Sequence, residues 1–117
     1  MVNPIVYRRL VQVAKARGTI TLADLGTAAD LLPGRADDAK ILLLVLDHVA
    51  EHEAAEARPL LPAVVVREDG QPGVGLAGYA RRKGLIAGDD PAFYAAELER
   101  VYAHWAPPAP PAARRRP

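Results

Sequence analysis

The chain has 117 residues, no cysteine and a formal net charge of +1. This length is sufficient for one domain that buries its own core without disulfides or structural metals. The absence of cysteine excludes thiolate chemistry, disulfides and cysteine zinc sites. The N-terminus lacks a charged segment followed by a long apolar one, and the longest apolar run is far shorter than the ~20 residues that span a bilayer. We therefore expect a cytoplasmic protein with no membrane partner and no cofactor.

Charge is distributed unevenly along the chain. Three arginines near the C-terminus leave 12 basic and 14 acidic side chains in the rest of the sequence. Residues 1–35 carry five basic and two acidic groups, whereas residues 36–57 carry six acidic groups and only Lys40 as a base. The chain is therefore not globally basic, and the acidity of its central segment weighs against nucleic acid as the partner of that segment.

The start of the first helix is predicted by its end signals. Asn3 followed by Pro4 is an N-cap with proline at the first helical position, where the missing N–H group costs nothing. These signals predict a helix over about residues 4–17. Gly18 is expected to end this helix in the left-handed conformation.

A short strand and a short helix are predicted next. The β-branched segment 19–21 is typical of a strand. Thr21 and Asp24 form a capping box, which predicts a second helix over about residues 22–29. The Leu-Leu-Pro-Gly segment 31–34 ends that helix and reverses the chain.

The longest apolar run of the chain lies in the third predicted helix, which begins near Asp37 or Asp38 and extends to about residue 57. At 3.6 residues per turn, five apolar side chains share an inward face: Ile41, Leu42, Val45, Leu46 and Val49. Leu43 and Leu44 flank the opposite, charged face. They need a second cover, which either the last helix of the chain or a partner protein has to supply.

A β-hairpin is predicted after the central helix. The valine-rich segment 63–67 indicates a buried strand. The Asp-Gly pair at 69–70 and the Pro-Gly pair at 72–73 are strong turn signals. Residues 74–76 would then return beside the first strand in an antiparallel sheet.

Two further helices are predicted beyond the hairpin. The first is short and Gly84 can close it. The Asp-Pro pair at 90–91 repeats the cap and proline signal of the N-terminus, and it predicts a last helix over about residues 91–105. We expect this helix to pack on the central one.

Three aromatic side chains lie at helical spacing on the last predicted helix: Tyr94, Tyr102 and Trp105. Such a stripe can form a patch that binds a partner. Aromatic stripes at this spacing are more often part of the core, and we favour that interpretation here.

The order helix, short strand, short helix, longer helix and hairpin is that of a winged helix-turn-helix, whose third helix ordinarily enters the major groove of DNA. We therefore predict an α+β fold of about five helices with a small antiparallel sheet. The winged-helix-like domain would occupy residues 1–106. Proline, alanine and arginine dominate residues 107–117, which we expect to form a disordered tail.

Three segments resemble a group of small bacterial proteins of uncharacterised function that have a winged-helix-like domain. These segments are TITLADL at 19–25, RPLLPAVVV at 58–66 and PGVG at 72–75. The resemblance extends over most of residues 4–105. It implies the fold and brings no known activity with it.

A more distant similarity is to the DNA-binding domain of alkyltransferase and alkyltransferase-like proteins, which have a Thr-Tyr-Gly-Asp segment and later a Pro-Cys-His-Arg segment before an Asp-Gly turn. The matching residues are Thr21, Asp24, Pro62, Asp69 and Gly70. Leu22 replaces the family's tyrosine, Ala63 replaces its reactive cysteine, and the histidine and arginine that follow are absent. Alkyl transfer to a protein thiol is therefore excluded, and these residues do not support binding of a damaged base.

His48, Glu51 and His52 match the His-x-x-Glu-His pattern, in which two histidines bind zinc and the glutamate acts as base. The two histidines share one face of the predicted helix. An acidic, alanine-rich helix end gives this pattern by chance, however, and the chain offers no enclosed substrate chamber. We therefore expect no metal site and no enzymatic activity.

Two functional hypotheses remain. The first is a non-enzymatic accessory or regulatory protein that binds duplex DNA through cations near the central helix, the hairpin, the fourth helix and the tail. The candidate residues are Arg35, Lys40, Arg67, Gln71, Arg81, Arg82, Lys83, Arg114, Arg115 and Arg116. The alternative is a module for protein association, either a homodimer or a complex with a larger protein, in which Leu43 and Leu44 form the interface.

Overall fold

A computed structural model describes residues 2–32 and 34–107. Its described part contains five α-helices, one 3-10 helix and two short strands, so the prediction of about five helices with a small sheet is confirmed. The elements are α1 (Pro4–Lys15), β1 (Ile20–Thr21), α2 (Leu22–Ala28), α3 (Ala36–Ala55), the 3-10 helix (Leu61–Val64), β2 (Val65–Val66), α4 (Ala77–Arg82) and α5 (Pro91–Trp105). The predicted tail lies outside the described residues from position 108 onward.

Three helices begin at the predicted caps, because a side-chain oxygen accepts hydrogen bonds from N–H groups that have no partner inside the helix. Asn3 Oδ1 accepts from the amides of residues 5 and 6 at 3.0 and 3.1 Å. Thr21 Oγ1 accepts from the amide of Asp24 at 3.1 Å. Asp90 Oδ1 accepts from the amide of Phe93 at 3.0 Å.

The core is centred on the 3-10 helix, against which α1, α3 and α5 all pack. Its four residues are buried, and Leu61 and Val64 are fully so. Apolar side chains from the surrounding helices complete this core: Val6, Leu10, Ala14, Leu42, Leu46, Val49, Tyr94 and Val101. The segment that follows α3 thus forms the centre of the molecule.

The sheet differs from the predicted one. Strand β1 pairs with β2 in parallel, with Ile20 opposite Val65 and Thr21 opposite Val66. The predicted antiparallel hairpin is reduced to a single bridge between Val66 and Pro72. The prediction of a small antiparallel sheet is therefore wrong for the pair of strands that forms.

Local backbone geometry explains why the hairpin stops after one bridge. The carbonyl oxygen of Gly73 accepts from the amides of Leu76 and Ala77 at 3.0 and 2.8 Å, so helical bonding begins where the second strand was predicted. Gly75 lies so close to the 3-10 helix and β2 that a Cβ there would be 2.6 Å from both Pro62 O and Val65 Cβ. The chain after the turn therefore packs over β2 and does not continue beside it as a strand. Strand β2 pairs with β1 along its other edge.

The buried face of α3 differs from the predicted one. Leu42, Leu46 and Val49 are buried as expected, but Ile41 is 44% exposed and Val45 is only partly buried. Five residues form the buried face: Leu42, Leu46, Val49, Ala50 and Glu53. The predicted inward stripe was therefore too broad on the side of Ile41.

Helix α5 packs chiefly against the 3-10 helix and α1, not along α3 as predicted. As a result it does not cover the two leucines that needed a cover. Leu43 is 42% exposed and Leu44 is 58% exposed. In the described part of the chain, no helix is long and apolar enough to cross a membrane.

Candidate interaction surface on the central helix

The outward surface of α3 carries three large apolar side chains: Ile41, Leu43 and Leu44. Ile41, Leu44 and His48 follow each other at spacings of three and four residues and form one strip along the helix, which we call the α3 face. Lys40, Asp47 and Glu51 border one edge of this strip. The face exists because α2, the 3-10 helix and α4 pack on other sides of α3.

Two cations of α4 are paired with acidic groups at the edge of the α3 face. Arg82 Nη1 lies 2.8 Å from Asp47 Oδ2, and Lys83 Nζ lies 3.0 Å from Glu51 Oε1. The hydrogen bond to Asp47 raises the pKa of Arg82 above its ordinary value. Both cations are thus already neutralised by carboxylates on the same molecule, which reduces their value as contacts to phosphate.

Two other predicted DNA contacts are paired in the same way. Arg35 Nε lies 2.8 Å from Asp38 Oδ2, and Arg67 Nη2 lies 2.9 Å from Asp69 Oδ2. Gln71 closes the same tight turn, since its carbonyl oxygen accepts from the amide of Arg67 at 2.9 Å. Arg35, Arg67 and Gln71 therefore stabilise local structure, which reduces their value as contacts to DNA.

The remaining predicted cations lie apart from each other. Lys40 on α3 and Arg81 on α4 are exposed and form no ion pair within residues 2–32 and 34–107. Arg67, Gln71 and Arg81 line one cleft, whereas Arg35 and Lys40 lie at the start of α3. The predicted residues Arg114, Arg115 and Arg116 lie outside the described residues.

A group of cations that was not nominated from the sequence lies on and just after α1. Arg8, Arg9, Lys15 and Arg17 are exposed, and none is paired with a carboxylate in the part of the chain that the structure describes. The guanidinium of Arg17 lies 5.8 Å from the centre of the Tyr102 ring. The signal was present in the sequence, because positions 8 and 15 share one helical face.

A buried carboxylate, Glu53, lies near the end of α3 and was not predicted to be inside. Its Oε2 accepts from Arg58 Nη2 at 2.9 Å and from the Tyr7 hydroxyl at 3.1 Å. The hydrogen bond to Glu53 raises the pKa of Arg58, and burial, followed by the charge of Glu53, raises the pKa of Tyr7. This cluster joins α1, α3 and the loop after α3, and we interpret it as structural.

A second buried carboxylate, Glu97 on α5, also supports the fold. Its Oε2 accepts from the backbone amide of Leu60 at 2.7 Å, and its other oxygen contacts Arg100. Because Leu60 directly precedes the 3-10 helix, this bond fixes α5 to the centre of the core.

The three residues of the histidine pattern on α3 do not converge on one point. His48 lies on the exposed strip, Glu51 is engaged by Lys83, and the ring of His52 packs edge-on against Tyr7 with 5.7 Å between ring centres. Among residues 2–32 and 34–107, no group of three or more His, Cys, Asp or Glu side chains is placed to hold a metal ion.

The aromatic stripe of α5 belongs mainly to the core, as predicted. Tyr94 and Tyr102 are buried, and Trp105 is partly buried with its ring 6.5 Å from that of Tyr7. The interpretation of this stripe as a partner-binding patch is therefore not favoured by its burial.

An apolar groove of about 510 Å³ lies between α2 and the first half of α3. Leu22, Leu31, Leu42 and Val74 line its floor, and the Arg67–Asp69 turn forms its rim.

Comparisons of the chain with protein-family models, with curated proteins and with solved structures give no match. Fold alone does not determine function, so the exposed residues of the chain have to indicate it.

Proposed function

We propose that the chain is a winged-helix-like domain that works by protein association, and that α3 packs antiparallel on α3 of a second copy. The order of α1, β1, α2, α3 and β2 supports the winged-helix-like assignment. The observation that carries the proposed association is the exposure of Ile41 and Leu44 on a helix that α5 leaves uncovered.

Apolar burial supplies the driving force. Removing apolar surface from water contributes about 25 cal/mol per Å², and full burial of a leucine or isoleucine side chain contributes roughly 1.5–3 kcal/mol. Ile41 and Leu44 are about half exposed, so each gains roughly half of that range when a partner covers it. A two-fold axis doubles the gain, because both copies bury the same strip.

Charge selects the antiparallel direction. When two copies of a helix pack antiparallel about a two-fold axis, the same edge of each helix meets across the interface. The charged edge of the α3 face has Lys40 toward the N-terminus and Asp47 and Glu51, each paired with a cation of α4, toward the C-terminus. With the axis near residues 43–44, Lys40 of one copy faces Asp47 of the other, so opposite charges meet along this edge.

A reversal of one charge tests this arrangement. We expect light scattering over a concentration series to show a mass that rises to twice the monomer mass of 12.5 kDa. Lys40→Glu should raise the dissociation constant about tenfold, or about 1.4 kcal/mol, because the new carboxylate faces Asp47 of the other copy. Addition of Asp47→Lys should recover most of the affinity, since opposite charges again meet.

Arg9→Glu is the matched control for the Lys40 reversal, because it makes the same change of charge on an exposed cation of α1. Its dimer should dissociate with the wild-type constant. A monomer mass at every concentration would contradict the association, and an unchanged constant in Lys40→Glu would contradict the antiparallel arrangement.

Duplex DNA binding is the second candidate function, and the cations on and after α1 favour it. Arg8 and Lys15 lie about two turns apart on one exposed side of α1, and neither is paired within the described residues. Side chains at this spacing can reach successive phosphates along one strand without reading bases.

The duplex hypothesis predicts affinity at low salt that falls steeply as salt is added. The double variant Arg8→Gln, Lys15→Gln should lose at least tenfold in affinity at low salt, because two phosphate contacts are removed. Arg82→Gln, Lys83→Gln is the matched control and should lose less, since carboxylates already neutralise both cations. Equal losses in the two double variants, or no binding to any duplex at low salt, would remove this candidate.

A further inference from the structure

A second cleft, of about 440 Å³, lies beside α3 at Leu43. Leu43 of α3 forms one wall, α4 and the start of α5 form another, and the turn around residues 71–74 closes one end. We call it the Tyr94 cleft. Because Leu43 lies about one quarter turn from Leu44 along the helix, the cleft stays open when two copies pack through the α3 face.

The Tyr94 hydroxyl is a buried donor beside the Asp89 carboxylate. Tyr94 is 2% exposed, and its hydroxyl forms no hydrogen bond of normal geometry within residues 2–32 and 34–107, although Asp89 lies close to it. Burial, followed by the nearby charge of Asp89, raises the pKa of Tyr94, so the hydroxyl keeps its proton at neutral pH. Buried polar groups are normally satisfied, and an exception requires an explanation such as an absent ligand.

The position of the Tyr94 ring is fixed by Gly73. A Cβ at residue 73 would lie 2.5 Å from Cε2 of the ring, and the backbone of Gly73 has a φ of +118°. Only glycine combines this backbone conformation with such a close approach. The ring therefore rests directly on the turn that closes the cleft.

Among the described residues, the cleft has one cation, Arg81, that is free to bind a negative group, and one acid, Asp89. Arg81 lines the cleft and forms no ion pair in the described part of the chain, whereas Arg67 is occupied by Asp69. Asp89 lies on the same lining and opposes a doubly charged ligand. Leu43, Val74 and Ala77 provide apolar wall for the rest of a ligand.

We propose that the Tyr94 cleft binds a small monocarboxylate that has an apolar body. The carboxylate accepts hydrogen bonds from the Arg81 guanidinium and from the Tyr94 hydroxyl, and the apolar body packs on Leu43, Val74 and Ala77. A planar guanidinium matches a carboxylate well, since two parallel N–H groups can bind its two oxygens.

Amide NMR titration of the full chain with phenylacetate tests the proposal, with phenylacetamide as the uncharged counterpart of the same shape. We expect saturable shifts confined to the neighbourhood of residues 71–81 and 89–94, and at least tenfold weaker binding of the amide. Arg81→Gln should weaken phenylacetate binding at least tenfold and abolish the preference for the carboxylate. Arg81→Lys should keep that preference, because it keeps the positive charge.

Two further variants separate the cleft from general charge effects and from loss of folding. Arg82→Gln neutralises the neighbouring cation, which is paired with Asp47 and does not line the cleft, and it should bind phenylacetate as the wild type does. Tyr94→Phe keeps the ring and should weaken phenylacetate about fivefold while the unfolding transition stays cooperative. Equal binding of phenylacetate and phenylacetamide, equal losses in Arg81→Gln and Arg82→Gln, or wild-type binding by Tyr94→Phe would each overturn the proposal.

Discussion

Replacement of Glu53 by alanine is expected to lower the free energy of unfolding by about 3 kcal/mol, because it removes one partner of a buried, hydrogen-bonded charge pair. Arg58 and the Tyr7 hydroxyl both donate to this carboxylate, and both would lose their acceptor. Urea unfolding followed by circular dichroism measures the change. Glu56→Ala is the matched control, since Glu56 is exposed and lies 3.8 Å from the same arginine, and it should cost less than about 0.5 kcal/mol.

The same carboxylate also controls how stability responds to alkaline pH. Burial and the charge of Glu53 raise the pKa of Tyr7 in the folded state. The contribution of Tyr7 to stability is therefore complete below its pKa in the unfolded chain, which is about 10. This contribution is lost as pH rises through the higher pKa of Tyr7 in the folded protein. In Glu53→Gln the pKa of Tyr7 should move back toward its ordinary value, so the loss of stability above about pH 10 should be smaller. Equal alkaline slopes for the two proteins, or a small loss in Glu53→Ala, would contradict a buried charge cluster.

Replacement of Leu44 by glutamate is expected to raise the dissociation constant of the dimer at least 100-fold, or about 2.8 kcal/mol. Leu44 lies at the proposed two-fold axis, so the substitution removes two apolar contacts and places two like charges close together. The fold of the monomer should be retained, because the Leu44 side chain is 58% exposed and contributes little to the core. Light scattering across a concentration series, together with an unfolding curve, measures both effects.

Leu85→Glu is the matched control for Leu44→Glu, since Leu85 is 48% exposed and lies outside α3. It should leave the dissociation constant unchanged. If Leu44→Glu dimerised as tightly as the wild type, or if both variants weakened the dimer alike, the interface would lie elsewhere.

Helix ends could be predicted from the sequence because their causes are local. The Asn3, Thr21 and Asp90 caps each satisfy N–H groups within three residues, and α5 occupies Pro91–Trp105 as expected. Gly18 is an instructive exception. Arg17 adopts the left-handed conformation with a φ of 53°, so the chain turns one residue earlier than the glycine indicates.

The partners of the strands and of the buried side chains could not be predicted in the same way, because they depend on contacts between residues that are distant in the sequence. The valine-rich segment does contain a strand, but its partner is Ile20–Thr21 and not the segment that follows the turn. The 3-10 helix takes the first two residues of the predicted strand, and Glu53 is turned inward by Tyr7 and Arg58. None of these contacts leaves a periodic signal in the sequence.

The candidate site shows the same division between local and distant causes. The apolar run predicted that Leu43 and Leu44 would need a cover from the last helix or from a partner, and both are substantially exposed. The sequence also placed cations near residues 81–83, but it could not show that Arg82 and Lys83 lie against the acidic edge of α3. Because these carboxylates already neutralise Arg82 and Lys83, we favour protein association over DNA binding.

The most direct test of the central claim is chemical cross-linking through one introduced cysteine, which is feasible because the chain has none. Leu44→Cys should be converted into a covalent dimer by a short bifunctional thiol reagent, since the two copies of residue 44 face each other at the axis. Leu85→Cys and Ile5→Cys, which are exposed to a similar degree, should remain monomers under the same conditions. Equal yields of covalent dimer from all three variants, or none from Leu44→Cys, would contradict association through α3.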